Sequence, residues 1–117
     1  MKTYCFDVDE CLEISAGPVK LQSLMDLQQE GHIIGLCGNW AKVTQLIGNW
    51  HRLFSFIGPM EMTKEAFLIQ LKTYVPCEEV VMVGNIQGVT GRSDDAGAAL
   101  RAKVRFIMEK DFASGVR

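Results

Sequence analysis

The chain has 117 residues, room for one folded core and not two, since single cores run to roughly 100–200 residues before they divide. Apolar residues at 48% and charged residues at 22% sit near the globular average, which excludes disordered, collagen-like and coiled-coil classes. Twelve Lys and Arg against fourteen Asp and Glu leave a net charge of −2, without the basic excess that binding a phosphate backbone demands, so no nucleic-acid partner is expected.

No apolar run approaches the ~18 residues of a membrane span, and Asp7, Asp9 and Glu10 stand where a signal peptide needs apolar residues. A cytoplasmic protein with no membrane partner is expected. Cys5, Cys11, Cys37 and Cys77 form no C-x-x-C pair and only two histidines accompany them, so they are read as four free thiols.

The first β-favouring run is Thr3 to Val8, ending among acids. After Gly17-Pro18, Leu21, Leu24, Met25 and Gln28 recur at helical spacing with Leu27 widening the stripe, and Glu30-Gly31 closes a helix. His32 to Cys37 is nearly continuous in its hydrophobicity, as strands covered on both faces are. Trp40, Val43, Ile47 and Trp50 predict one amphipathic helix over 40–50, with both tryptophans in the core, and Leu53 to Ile57 a third strand. Thr63 caps a helix through Tyr74 whose buried stripe is read as Ala66, Phe67, Ile69 and Leu71. Val80 to Val83 is the fourth strand, Asp94 or Asp95 starts an Ala-rich helix through Ala102, and Val104 to Met108 is the fifth strand, followed by a polar tail expected to fray.

Strands alternating with helices predict a three-layer α/β/α, Rossmann-like domain over 1–117 with a five-stranded parallel sheet and right-handed crossovers. In such sheets the ligand sits beyond the carboxyl ends of the strands, where the winding reverses. That edge collects Asp7 and Asp9 after strand one, Cys37-Gly38-Asn39 after strand two, Lys64 at the helix after strand three, and Asn85 with Asp94 and Asp95 after strand four.

This layout suits phosphoryl transfer: a carboxylate attacks phosphorus, a divalent cation spreads the charge and a lysine completes the clamp. Asp7 is the candidate nucleophile and Asp9, two residues on, the candidate acid and base. Mg²⁺ wants oxygen ligands, here Asp7, the backbone carbonyl of Asp9 and a group among Asn85, Asp94 and Asp95. The bland alternatives are solvated loop acids at 7 and 9, an exposed first-turn Lys64, a buried Cys37, and a turn residue and helix cap at Asn85 and Asp95.

Cys5-Phe6-Asp7-Val8-Asp9-Glu10-Cys11-Leu12 resembles the first motif, h-h-D-x-D-x-[TV], of the haloacid dehalogenase-like hydrolase superfamily. Leu36-Cys37-Gly38-Asn39 is similar to its second motif, Lys64 to its third-motif lysine, and Met82-Val83-Gly84-Asn85 with the later Asp95-Ala96-Gly97-Ala98-Ala99 to its fourth. The resemblance covers nearly the whole chain. It implies a Mg²⁺-dependent phosphatase forming an aspartyl-phosphate on Asp7, with Cys37, Gly38, Asn39 and Lys64 around the phosphate. Family members carry cap domains, but only Glu10 to Ala16 and Gly58 to Met62 are free for an insertion here and neither can fold as a lid, so the resemblance implies an uncapped site open to a bulky phosphorylated substrate or covered by a lid from another subunit.

Two departures set the alternatives. Cys37 stands where the family has a hydroxyl, and Asn85 stands where it has the first acid of the fourth motif. A domain that keeps the fold for binding or regulation without turnover is therefore the second expectation. Restoring the acid in Asn85→Asp is expected to raise Mg²⁺ affinity. A phosphoacceptor receiver domain ranks last, because Ile57-Gly58-Pro59 offers no Asp at the end of strand three.

Overall fold

A computed structural model describes residues 1–117. Five strands, β1 (Thr3–Phe6), β2 (Ile33–Cys37), β3 (Phe56–Gly58), β4 (Val80–Gly84) and β5 (Arg105–Met108), pair in parallel in the order β3-β2-β1-β4-β5. Their register places Phe6 beside Leu36 on one side and Val83 on the other. Six helices complete the chain: α1 (Leu21–Gln29), α2 (Trp40–Leu46), α3 (Trp50–Leu53), α4 (Lys64–Tyr74), α5 (Asp95–Ala102) and α6 (Glu109–Ala113). No helix is long and apolar enough to cross a membrane.

Side chains alternate across a strand, so each strand feeds two cores. On one face Tyr4, Phe6, Ile34, Leu36, Val81 and Val83 pack with Leu24 and Leu27 of α1, Val43 of α2 and Phe112 of α6. On the other, Cys5, Cys37, Val80 and Met82 pack with Leu68 and Leu71 of α4 and Ala98, Ala99 and Ala102 of α5. This is the three-layer α/β fold that the alternation of elements predicts. The chain winds outward from β1 to β2 and β3, then crosses on the opposite face to β4, so the reversal point lies between β1 and β4.

Four expectations are corrected. The helix over 40–50 is two helices: Ile47 turns extended at φ −116°, ψ 107°, ahead of Gly48, whose missing side chain makes helix continuation costly by about 1 kcal/mol. Trp40 and Trp50 lie half-buried against the core, while Leu46 is exposed. Phe54 N donates to Trp50 O and extends α3, which delays β3 to Phe56 and makes it a short edge strand. In α4 it is Leu68, three residues before Leu71, that is buried; Ile69 faces water.

The fourth correction concerns the tail. Residues 109–113 form α6, which folds back so that the Phe112 ring sits edge-on to Phe6 at 5.2 Å and to Tyr4 at 6.3 Å between centroids. Phe112 is 1% exposed. Removing that ring should therefore act as a core truncation. Phe112→Ala is expected to lower unfolding stability by about 3–5 kcal/mol in urea titration; a loss under about 1 kcal/mol would return residues 109–113 to a fraying tail.

Candidate active site

Asp7 leaves the end of β1 at the reversal point, its backbone N–H still bonded to Val83 O at 2.9 Å. Its side chain is 2% exposed. Lys64, the first residue of α4, is set there by the Thr63 cap, whose hydroxyl accepts from Ala66 N at 3.1 Å. From that position its ammonium donates to Asp7 Oδ1 at 3.0 Å and to Asp95 Oδ1 at 2.7 Å. A cation at a helix N-terminus is unfavourable on its own, and the two carboxylates offset that.

Asp95 opens α5 and is wholly buried. Its second oxygen accepts from Asn85 N at 2.8 Å, so both oxygens are engaged. Two glycines make room for these carboxylates. A methyl group at Gly38 would overlap Asp7 Oδ1, and one at Gly84 would overlap Asp95 Oδ2. Sequence alone marks both positions, Gly38 as a site residue and Gly84 as part of a motif.

Asp9 belongs to a second, more exposed cluster. Ser15 Oγ donates to its Oδ1 at 2.6 Å, Asn39 Nδ2 to its Oδ2 at 3.2 Å, and Lys42 Nζ lies 2.7 Å from Ser15 Oγ and 3.6 Å from Asp9. Ser15 and Lys42 carry no motif signature. The fold alone brings them to Asp9.

The two acids are pushed in opposite directions. Burial first, then the neighbouring charge of Asp95, raises the Asp7 carboxyl to about 7, with Lys64 opposing. The hydrogen bond from Ser15, helped by Asn39 and Lys42, holds Asp9 below the ordinary carboxyl range against a small burial cost. For Lys64 burial acts downward, but Asp7 and Asp95 outweigh it and keep the ammonium charged well beyond its ordinary range. At neutral pH the lysine is a cation, Asp9 is ionised, and Asp7 is divided between acid and carboxylate.

Not every expected site residue arrives. Cys37 is fully buried in the α4/α5 core beside Cys5, whose thiol burial and the Cys37 contact push well up, so it is not brought to the polar edge. Asp94 turns back onto its own helix, accepting from Gly97 N at 3.1 Å, and its other oxygen lies 3.5 Å from Arg101. Asp95, not Asp94, is the acid brought to the site. One buried acid was not foreseen: Glu109, after β5, accepts from Asn85 Nδ2 at 3.0 Å and from Thr90 Oγ1 at 3.1 Å. Its position just past a strand end is the same edge signal that marks Asp7.

No three His, Cys, Asp or Glu side chains converge to hold a metal ion. Oxygen ligands for a hard cation need not all be carboxylates, however. Asp7 Oδ2 and Asn85 Oδ1 are both buried without a hydrogen-bond partner, one residue past the ends of the paired strands β1 and β4, and the Asp9 carbonyl accepts no backbone hydrogen bond. By the chemistry of its donors this all-oxygen set suits a hard cation such as Mg²⁺, with Asp94 and the engaged Asp95 outside it. Neither concave cavity of the surface coincides with it. One of about 300 Å³ lies at the other end of β4 and β5, beside Lys72, Cys77 and Arg105, and one of about 220 Å³ lies between α1 and the α2–α3 turn. At the polar edge the Lys64 ammonium lies between Asp7 and Asp95, and neither cavity opens there. No family model, curated protein or solved structure matches the chain.

The raised Asp7 carboxyl has a signed consequence for stability. Its folded value near 7 exceeds its ordinary 3.8, so the folded state holds the proton more tightly, and that stabilising contribution is present at low pH and lost as pH rises through about 7. Asp7→Asn removes the titration and leaves Lys64 with Asp95. The variant is expected to melt about 4 °C or more above the parent at pH 8, the shift that ~1 kcal/mol produces in a domain of this size, with the gap closing toward pH 4. Equal melting at pH 8 would show that the buried charge carries no penalty.

Proposed function

We propose that the chain is a Mg²⁺-dependent phosphohydrolase of the haloacid dehalogenase-like kind, acting through an aspartyl-phosphate on Asp7. The observation that carries this reading is the Asp7 carboxylate at the reversal point, with one oxygen on Lys64 and the other buried and unpartnered. A nucleophile needs a fixed direction, and the Lys64 ion pair supplies it in the room that Gly38 leaves.

A phosphoryl dianion attracts the Lys64 ammonium and frees Asp7 Oδ1, which attacks phosphorus while the bond to the leaving oxygen breaks. Water then attacks the aspartyl-phosphate, Asp9 takes its proton, and inorganic phosphate leaves with Asp7 regenerated. Held ionised by Ser15, Asp9 suits this second step better than protonation of the leaving group. Esters with acidic leaving groups, which need least protonation, should turn over fastest. Asp7 Oδ2, Asn85 Oδ1 and the Asp9 carbonyl would hold Mg²⁺. When bound, it would draw charge from the phosphoryl oxygens.

No cap domain covers the edge: the connection after β1, residues 7–20, holds only the single turn Glu13–Ser15, and residues 59–63 join β3 to α4. The partners proposed are therefore a bulky phosphorylated substrate that excludes water itself, or a second copy of the chain as cover. The 2% exposure of Asp7 favours one other reading, a domain that binds phosphorylated groups without turnover.

A screen of aryl and alkyl phosphate esters with Mg²⁺ separates the two. The parent is expected to hydrolyse aryl phosphates, Asp7→Asn to be inactive, and Asp9→Asn to lose about 10²- to 10⁴-fold in rate. In kcat/KM against pH, the ascending limb should lie near 7 at limiting Mg²⁺, where Asp7 becomes a carboxylate, and move to lower pH as Mg²⁺ is raised. A parent without turnover moves the chain to the binding reading, and an unaffected Asp9→Asn removes Asp9 from the mechanism.

A further inference from the structure

Glu109 has no part in the turnover above, yet its side chain is among the most buried, 1% exposed. Its Oε2 accepts from Asn85 Nδ2 and Thr90 Oγ1, and Thr90 Oγ1 in turn accepts from Ile86 N at 2.9 Å, which ties the loop after β4 to the acid. Asn85 Nδ2 donates a second hydrogen bond, at 3.0 Å, to the carbonyl of Glu10. Glu10 sits at φ 59°, a left-handed conformation unusual for a residue with a side chain, and Glu10 N donates to Ser15 O at 2.8 Å.

A carboxylate and a backbone carbonyl both face one end of the Asn85 amide, and each offers that end an acceptor. The amide can meet both only with its nitrogen, so its orientation follows from its partners. The planar group then points Oδ1 away from Glu109, and that oxygen is buried with no partner. A neutral amide oxygen of this kind is a permissible but weak ligand for a hard dication.

The geometry points to Glu109 as a positioning residue: its carboxylate locks the Asn85 amide with Oδ1 presented as a neutral ligand to a divalent cation. From behind that amide it also supplies the negative charge that the end of β4 lacks. This rests on the proposal that the edge takes Mg²⁺. Such partners behind a ligand orient it and raise its donor strength, and their loss typically weakens metal binding by about 10- to 100-fold.

The expectation that Asn85→Asp raises Mg²⁺ affinity is thereby reversed. A carboxylate introduced at position 85 would face the Glu109 carboxylate at 3.0 Å and the Glu10 carbonyl at 3.0 Å, acceptor against acceptor. Adding Glu109→Gln exchanges the two groups, because the new amide can donate to the introduced carboxylate.

The test uses the full chain and Mn²⁺ as a probe, with affinity from electron paramagnetic resonance and stability from thermal melting. Glu109→Gln is expected to weaken Mn²⁺ binding about 10- to 100-fold. Asn85→Asp is expected to melt lower than the parent, and the double variant, in which only the Glu10 carbonyl still opposes the new carboxylate, to regain part of the melting temperature and to bind Mn²⁺ more tightly than Glu109→Gln alone. Glu109→Gln within about twofold of the parent, or Asn85→Asp melting like the parent, overturns the assignment. Should Glu109→Gln not fold, the double variant decides: failure to fold or to bind Mn²⁺ overturns it. A parent that binds no Mn²⁺ overturns it whatever its activity. A parent that binds Mn²⁺ in this pattern but hydrolyses no ester leaves Glu109 in its role and removes only the catalytic proposal.

Discussion

The ammonium of Lys64 is the one group on which the polar edge depends. It joins three elements that nothing else polar holds together there: the end of β1 through Asp7, the start of α5 through Asp95, and α4 itself. Without it, two buried carboxylates would share the edge with no cation between them. One cation cannot fully satisfy two buried acids. The residual repulsion and burial appear in the Asp7 carboxyl, lifted to about 7, while Lys64 itself stays charged.

That imbalance links packing to chemistry. A domain selected only for stability would fill the reversal point with a neutral pair, and here the substitution expected to stabilise is the one that removes the proposed nucleophile. Asp9, two residues along, shows the contrast: half-exposed and supplied with three donors, it rests as a settled carboxylate. The same D-x-D spacing thus yields one uneasy acid and one comfortable one. Position relative to the strand end decides which is which, since Asp7 lies inside the paired edge and Asp9 on the loop beyond it.

The parts of this arrangement that were legible in the sequence are those set by local rules. Alternating apolar strands and helices predict the parallel sheet, and the strand-end rule predicts that Asp7, Lys64, Asn85 and Asp95 share an edge. Asp94 and Asp95 could not be separated that way, because neighbouring acids differ only in helix register. As the residue before α5, Asp94 accepts from Gly97 N, while Asp95 turns toward Gly84. Cys37 was ambiguous for a similar reason: the last residue of a strand faces either the ligand or the core, and the pleat sends this one into the α4/α5 core with Cys5. Glu109 was missed outright. Its segment is short and polar, without the repeat that marks an amphipathic helix, and only the aromatic anchor at Phe112 folds it back.

Glu109 changes the charge account of the edge. Asp7, Asp95 and Glu109 are three buried acids of which the Lys64 ammonium reaches only the first two, so that, counted formally, the edge carries an excess of two negative charges. Two arrivals can offset it. A proton on Asp7 relieves one charge and disarms the nucleophile, and this is the state that acid favours. A dication relieves both and leaves Asp7 ionised, and this is the state a phosphoryl-transfer site requires. Metal binding and nucleophile activation would then be one event, because the cation stabilises the carboxylate form of Asp7 that the unliganded site resists. The neutral amide at Asn85 fits that balance. A fourth acid in its place would leave an excess of three, more than one divalent cation neutralises, and would set that charge directly against Glu109.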